Sequence, residues 1–570
     1  MKLFGKRYLG LRGTRLNVAV GIIAGLDFLL FGYDQGVMGG LLTLPSFTAT
    51  FPEIDTTPAG TAGLSPSEAS QRSTIQGISV ASYNVGCFFG AISCIWIGDI
   101  LGRRKTIFLG SSIMVVGATL QTSAFSLPHF IVGRIITGLG NGLNTSTVPM
   151  WQSECSKSHR RGQLVMVEGA LITCGIMISY WVDFAFSFID SDVSWRFPIG
   201  FQLLFALIIL TFILELPESP RWLIFRGNEE EALEVLGALS DKEPTDKYIV
   251  AEFDAIKDTV LEAEATTFKD LFTMDEDRHF HRVVLAYVNQ MFQQISGINL
   301  ITYYAATIYE TNIGLSPFIS RILAACNGTE YFLASWIPVF IIEKVGRRKL
   351  MIFGAAGMSF SMVMLAAMTS IGGTGPGIVA AAFLFIFNTF FAIGWLGMTW
   401  LYPAEVVPLR IRSKSNGLST SANWIFNFMV VMITPVAFDS IGYQTYIIFA
   451  VINAFIVPVV YFFYPETAYR SLEEMDTIFH KTTSVFKVVS VAKHEPHRYG
   501  KNGEVLIDYQ ETEEHQRRRS SVARTASMAS QGIVGGGGDR DPEKRGYHHD
   551  HTQQFRGGQA GPAPFGGGGI

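Results

Sequence analysis

The chain is short of charge. Of its 570 residues only 16% are Asp, Glu, Lys or Arg, where a soluble protein carries about 25%. That shortage argues against a water-soluble enzyme and against a disordered chain. Net charge is small too: 44 Lys and Arg against 48 Asp and Glu leave −4, which favours no nucleic-acid partner. Cysteine is scarce. The five, at positions 87, 94, 155, 174 and 326, form no CxxC pair, which argues against a disulfide scaffold or a zinc site. No nucleophile and base set and no phosphate-binding Gly loop fits a catalytic layout, so neither an enzyme nor a cofactor is expected. What the chain does have is 48% hydrophobic residues, 13% aromatics, 44 Phe and 57 Gly, with a mean hydropathy of +0.29. These describe a multi-spanning membrane protein.

A spanning helix needs roughly 20 apolar residues. Twelve stretches qualify, at about 17–40, 75–98, 105–124, 129–150, 164–186, 197–215, 284–309, 317–342, 350–370, 377–401, 417–438 and 443–464. The expected fold is therefore an all-α membrane protein of twelve transmembrane helices. The first stretch is not a secretory signal: it is too long, carries Asp27 and Asp34, and lacks a small-residue cleavage site. Lys and Arg are retained on the cytoplasmic side. The clusters Lys2 to Arg15, Gly102 to Lys105, Lys157 to Arg161, Gly346 to Lys349 and Arg410 to Lys414 all face one side if the spans alternate. The longest opposite loop, about 41–74, holds only Arg72. Both termini are expected in the cytoplasm, with the spans in the plasma membrane.

The expected organisation is a cytoplasmic N-terminus (1–16), a six-helix bundle (17–215), a cytoplasmic linker (216–283), a second six-helix bundle (284–465) and a largely disordered cytoplasmic tail (466–570). The linker opens with Glu229-Glu230-Glu231-Ala232-Leu233-Glu234, a charged amphipathic pattern of short surface helices that reads equally as a solvated linker or a gating latch. The halves echo each other. Asp99-Ile100-Leu101-Gly102-Arg103-Arg104-Lys105 follows the second stretch, and Glu343-Lys344-Val345-Gly346-Arg347-Arg348-Lys349 follows the eighth. Motifs repeated in register imply duplicated six-helix units with a substrate site between them. In the tail, Arg517-Arg518-Arg519-Ser520-Ser521 and Arg524-Thr525-Ala526-Ser527 look like sites for basophilic kinases, and His548, His549 and His551 lie in a polar, Gly-rich tract that cannot bury a core.

Further motifs join the duplicated one: Gly133-Arg134, Pro217-Glu218-Ser219-Pro220-Arg221, Gln293-Gln294-Ile295-Ser296-Gly297-Ile298-Asn299 and Pro465-Glu466-Thr467. Glu154 and Arg161 recur as Glu405 and Arg412, at the same spacing. Over about 15–480 the chain resembles the sugar-porter family of the major facilitator superfamily. Arg161 to Gly169 and Ile178 to Phe184 are similar to the fungal branch of that family that includes a glycerol/proton symporter. Two positions depart from the hexose carriers. Gly169, preceded by Glu168, stands where most of them have a substrate-binding Gln, and Tyr331 stands where they usually have Asn.

A sugar or polyol presents hydroxyls around an apolar face, so its site needs amides and aromatic walls. Gln293, Gln294, Asn299, Asn423 and Asn427 are the candidate amides, and Trp400 is the candidate ring-stacking wall. Phe31, Tyr303 and Tyr304 are weaker candidates. Any single amide in a span serves equally as glue between helices. The resemblance implies that Asp99, Arg103, Arg104, Glu154, Arg161 and Arg221 in one half, and Glu343, Arg347, Arg348, Glu405 and Arg412 in the other, lock the bundles in the outward-open state.

An intramembrane carboxylate is by default a functional hypothesis. Asp34 is the candidate proton-coupling group, with Arg134 as its expected partner and Glu168 as a further ligand or proton site. The sequence thus points to import of a monosaccharide (a hexose such as glucose) or a polyol (such as glycerol) by alternating access with proton symport. A facilitative hexose uniporter and a transporter-like nutrient sensor stay open as alternatives.

Overall fold

The structure, a computed structural model, describes residues 7–496 except 156–160, 265–266, 275–276, 409 and 471. The basic cluster at Lys157–Arg160, the Arg161 side chain, the kinase motifs and His548, His549 and His551 lie outside the described residues.

Among the described residues, twelve long helices occupy the twelve apolar stretches. The first six are α1 (Gly13–Leu41), α2 (Pro66–Leu101), α3 (Arg103–Thr122), α4 (Leu127–Cys155), α5 (Arg161–Phe186) and α6 (Val193–Ile213). The last six are α7 (His279–Ile295 continued by Ile298–Thr307), α8 (Pro317–Val345), α9 (Arg347–Ile371), α10 (Thr374–Phe391 continued by Met398–Val406), α11 (Arg412–Ile441) and α12 (Gln444–Phe463). Among the described residues, α1, α2, α5, α6 and α9 to α12 are long and apolar enough to cross a membrane on their own composition. The remaining four carry more polar groups, among them Arg134, Asn144, Gln293 and Asn327, which their neighbours bury. Helix α2 packs closely on α11, and α5 on α8, so the first six helices are sewn to the last six along two seams.

Local chemistry sets the ends. Helix α2 begins nine residues before its apolar run because Ser65 and Glu68 form a reciprocal cap: the Ser65 N–H donates to Glu68 Oε2 at 2.8 Å, and the Glu68 N–H to Ser65 Oγ at 3.4 Å. Helix α7, expected as one span, is broken at Gly297, whose φ of +100° only glycine adopts freely. Asn453 on α12 donates to the carbonyl of Ser296 at 2.8 Å, satisfying a group that the break releases. Helix α10 widens into a π-turn at Ala392–Leu396.

The duplicated Gly-Arg-Arg-Lys turns show why each starts with glycine. Gly102 and Gly346 have φ of +84° and +93°. A Cβ there would stand 2.9 Å from Glu218 Oε2 in one turn and 2.5 Å from Glu466 Oε2 in the other. Without it, each carboxylate reaches the start of the next helix. Glu218 accepts the N–H of Arg103 at 2.9 Å and of Arg104 at 3.2 Å, and Glu466 those of Arg347 at 2.8 Å and Arg348 at 3.1 Å. Negative charge at a helix N-terminus is favourable. Burial pushes the Glu218 carboxyl above its usual range, and the N–H groups of Ser219 and Arg104, with the charges of both arginines, hold the rise in check.

Between α6 and α7 the chain forms helices at Pro220–Phe225, Glu229–Ser240 and Lys247–Glu264. The N-terminal segment grips them: Arg7 pairs with Glu231 at 3.6 Å and with Glu234, and Asn17 donates to the Leu239 carbonyl at 2.8 Å. After α12 the tail begins with a helix, Leu472–Lys481. Its Met475, Ile478 and Phe479 are buried at helical spacing. Arg282 at the base of α7 donates to Asp476 Oδ1 at 2.6 Å and lies 4.6 Å above the Phe479 ring.

Candidate functional site

The wide turn of α10 is where the central site begins. A π-turn leaves carbonyls without their usual helical partners. The Gln293 amide on α7 fills that need, donating to the carbonyls of Trp395 at 3.1 Å and Leu396 at 3.2 Å. Three residues back on the same face, Gln290 donates to the Thr399 carbonyl at 2.9 Å. Both glutamines then present their oxygens inward. Asn423 on α11 donates to Gln290 Oε1 at 2.7 Å and to Gln293 Oε1 at 3.0 Å. Gln294 donates to that same Gln293 oxygen at 3.0 Å, and Asn299, beyond the Gly297 break, donates to Gln294 Oε1. Five amides thus form one continuous hydrogen-bonded chain.

Beside this chain lies a cavity of about 40 Å³ lined by residues of both halves. Phe31 and Gln35 come from α1, Ile172 and Ile176 from α5, and Gln293, Gln294, Asn299 and Asn423 from α7 and α11. Tyr331, Phe391 and Trp400 supply aromatic walls. The volume is far below the ~300–1,000 Å³ of a ligand pocket, so this is a contracted site whose walls must part to admit a ligand. Contacts across the two halves hold it shut: Tyr180 donates to the Thr302 carbonyl at 2.5 Å, Thr173 to Ser335 Oγ at 3.0 Å, and Arg321 to the Thr43 carbonyl at 2.9 Å.

Of the nine candidates for binding, Gln293, Gln294, Asn299, Asn423, Trp400 and Phe31 come together here. Asn427, Tyr303 and Tyr304 do not line the cavity. The Asn427 oxygen accepts from Asn84 at 3.1 Å, Tyr303 donates to Asn84 Oδ1 at 3.3 Å, and Tyr304 donates to the Val431 carbonyl at 2.8 Å. All three join helices to one another. Gln35, Gln290, Thr302 and Phe391 went unread as candidates. Their signal was present: Gln35 lies one turn past Phe31, and Gln290 three residues before Gln293.

The acidic candidates lie off the cavity lining. Asp34 is fully buried, and the Tyr83 hydroxyl is the polar group that faces its carboxyl most closely. Arg134, its expected partner, is within electrostatic reach but makes no direct pair. One guanidinium nitrogen is taken by the Val80 carbonyl at 3.2 Å, and the group rests 5.1 Å above the ring of Tyr83, which also lies beside Asp34. Glu168 is buried with Oε2 unpartnered, and it does not line the cavity. Its neighbour Gly169 does approach it: a Cβ there would stand 3.3 Å from Leu396 Cγ, a lining residue.

The arginine motifs pair within each half. Arg103 meets Glu154 at 3.2 Å and Asp99 at 3.8 Å, and Arg347 meets Glu405 at 2.8 Å and Glu343 at 2.7 Å. Arg221 adds its charge near Glu154. Arg104 and Arg348 cap carbonyls of Leu216 at 3.0 Å and Tyr461 at 2.5 Å, and Arg412 donates to Val407 O at 3.0 Å. These ion pairs do not bridge the halves, because each glycine turn folds its arginine back onto its own bundle. Electrostatic reach across the halves does exist, between Asp99 and Lys414.

The family profile described as "Sugar (and other) transporter" matches residues 19–479. "Sugar transporter STL1" of Saccharomyces cerevisiae is 40% identical over 478 residues, 83% of each chain. "Major facilitator superfamily transporter mfsA" of Aspergillus fumigatus is 39% identical over 478 residues, covering 83% of this chain and 88% of that one. Among solved structures, the proton:xylose symporter XylE of E. coli, bound to 6-bromo-6-deoxy-D-glucose, superposes with a TM-score of 0.69 at 25% identity, over 82% of this chain and 100% of that one.

Proposed function

The chain belongs to the sugar transporter family of the major facilitator superfamily, a family of multi-pass membrane carriers and not of enzymes, and we propose that it imports a polyol or small monosaccharide together with protons. The observation that carries this reading is the five-amide chain beside a cavity with aromatic walls. Amides both donate and accept, so they match hydroxyls of either polarity, and the aromatic faces take the apolar side of the substrate.

Size favours the smaller substrates. Tyr331 fills space where an Asn would leave room, and it stacks edge-on against Phe391 at 6.2 Å. Gly169 offers no amide opposite Leu396. Xylose is the substrate in XylE's name; glycerol and other polyols would need still less volume.

Proton coupling rests on Asp34. A fully buried carboxyl is costly as an anion, so gaining or losing a proton there changes the balance between closed and open forms. Two six-helix units, 17–215 and 284–465, would part and close around the cavity while the linker and N-terminus brace one face in the cytoplasm, in a plasma-membrane carrier. The test is uptake of labelled glycerol, xylose and glucose into transporter-null cells, with external pH recorded on de-energised cells. Uptake with external alkalinisation is expected, with glycerol or xylose ahead of glucose. Uptake without a pH change would establish a uniporter. A chain that reaches the surface and moves none of these would leave the sensor reading in its place.

A further inference from the structure

A groove of about 530 Å³ runs along the first half of α6 beside Thr122 at the end of α3, away from the residues of the candidate site, and is lined by Thr122, Arg196, Phe197, Gly200, Phe201 and Leu204 among others. Its walls are apolar but for one charged side chain. Phe197 and Leu204 stand about half exposed, and on the outside of a membrane-spanning helix that surface meets lipid. The charged exception is Arg196. Its guanidinium lies 4.3 Å from the Trp195 ring centroid and 4.8 Å from that of Phe125. One nitrogen donates to the Thr122 carbonyl at 2.7 Å. The edge formed by Nε and Nη2 leans only loosely on Asp192, at 3.4 Å, and the Asp192 side chain is 58% exposed.

Depth decides what such a groove fits. Arg196 lies three residues inside the start of α6, at the end remote from Glu218 and the Gly-Arg-Arg-Lys turn. From Arg196 to Leu204 is about 12 Å at ~1.5 Å per residue, most of one leaflet of a hydrocarbon core about 30 Å thick. A cation at the interface above an apolar trough one leaflet deep is complementary to a phospholipid. Arg is the side chain best shaped to take a phosphate with two parallel hydrogen bonds.

We infer that this groove is a phospholipid site, with the phosphate on the Nε/Nη2 edge of Arg196 and one acyl chain along Phe197, Gly200, Phe201 and Leu204. The exposed Asp192 carboxylate swings aside as the phosphate takes its place. Gly200 keeps the trough open: even a Cβ there would come within 3.3 Å of Thr122 Cγ2, so a longer side chain would lie in the groove itself.

The experiment uses the full chain purified in mild detergent, as wild type, Arg196→Gln and Gly200→Leu. Bound lipid is counted by native mass spectrometry, and thermal midpoints are measured on adding phosphatidylinositol, phosphatidylcholine, diacylglycerol or inorganic phosphate. Wild type should hold one phospholipid per chain and gain several degrees with either phospholipid. Diacylglycerol and inorganic phosphate should do neither. Arg196→Gln should weaken phospholipid binding at least tenfold, and Gly200→Leu should block it with the arginine intact. Diacylglycerol acting as well as phospholipid would overturn the headgroup assignment. Undiminished binding to Gly200→Leu would overturn the placement of the chain, whatever the fate of Arg196→Gln.

Discussion

The two Gly-Arg-Arg-Lys turns are near copies of each other, and the two halves of the central cavity are not. At the turns each element has its counterpart: Gly102 and Gly346, Glu218 and Glu466, Arg103 and Arg347, Glu154 and Glu405, with Ser219 and Thr467 donating to those last two glutamates. At the cavity the last six helices supply all five linked amides. The first six supply Gln35 and the apolar wall of Phe31, Ile172 and Ile176, with Asp34 buried next to Gln35 in sequence and off the cavity lining. A turn needs only to seat an arginine against its own bundle, and both halves share that task. If recognition rests on the amides, all but Gln35 lie in one half, and the buried carboxyl of Asp34 lies in the other.

Removing the acid tests that division most severely. Asp34→Asn keeps the shape and cannot change charge, so proton uptake and accumulation against a gradient should vanish while binding and downhill exchange survive. Loss of binding as well, at normal surface expression, would make Asp34 part of the recognition half. Next comes the amide side. Gln293→Ala strands the Gln294 donor and takes a donor from the Trp395 and Leu396 carbonyls, while Asn423 keeps Gln290, and at about 1–3 kcal/mol for each buried group left unsatisfied KM should rise about tenfold or more. Asn427→Ala, on the same face of α11, should leave KM within about twofold, since Asn427 holds Asn84 instead. Equal effects of the two would mean that the amides act as packing. The copies at the turns give the third comparison. Arg347→Gln should destabilise by about 3 kcal/mol, as for breaking a buried pair, and Arg103→Gln by less, because the first network is the longer-bonded. Thermal midpoints in detergent rank them. The smallest effect is Asp99→Glu, which lengthens the acid to match Glu343. A gain of about 0.5 kcal/mol would attribute the 3.8 Å against 2.7 Å difference to side-chain length.

Much of this was legible in the sequence. The twelve apolar runs and the repeated turn give the fold, because hydropathy and positive charge are properties of segments and survive without coordinates. The amides of α7 were legible for the same reason, being polar where the run should be apolar. Which face a residue presents was harder. Asn423 and Asn427 share a face, and only the short reach of the cavity separates the lining residue from the strut. Tyr303 and Tyr304 follow the Gly297 break, where the helix direction changes and spacing no longer predicts orientation. Arg134 was matched to Asp34 by its charge, its place in the fourth span and the resemblance, and the Val80 carbonyl that one of its nitrogens meets is a backbone group that no motif records. The helix Leu472–Lys481 lay within a segment expected to be largely disordered, though its buried Met475, Ile478 and Phe479 are spaced as on any docked helix.

The amide chain has one more consequence, for the half of the cycle in which nothing is carried. A transporter must return empty, and a vacant polar site normally crosses with stranded donors and acceptors or with a plug of water. Here the five side chains close on one another, so in the unloaded protein each of them has a hydrogen-bond partner within the chain. Arrival of a hydroxylated guest is then an exchange of partners, amide for hydroxyl, with little net change in bond number. Loading should be weakly favourable and readily reversed, so unloading on the far side is no harder than capture on the near one.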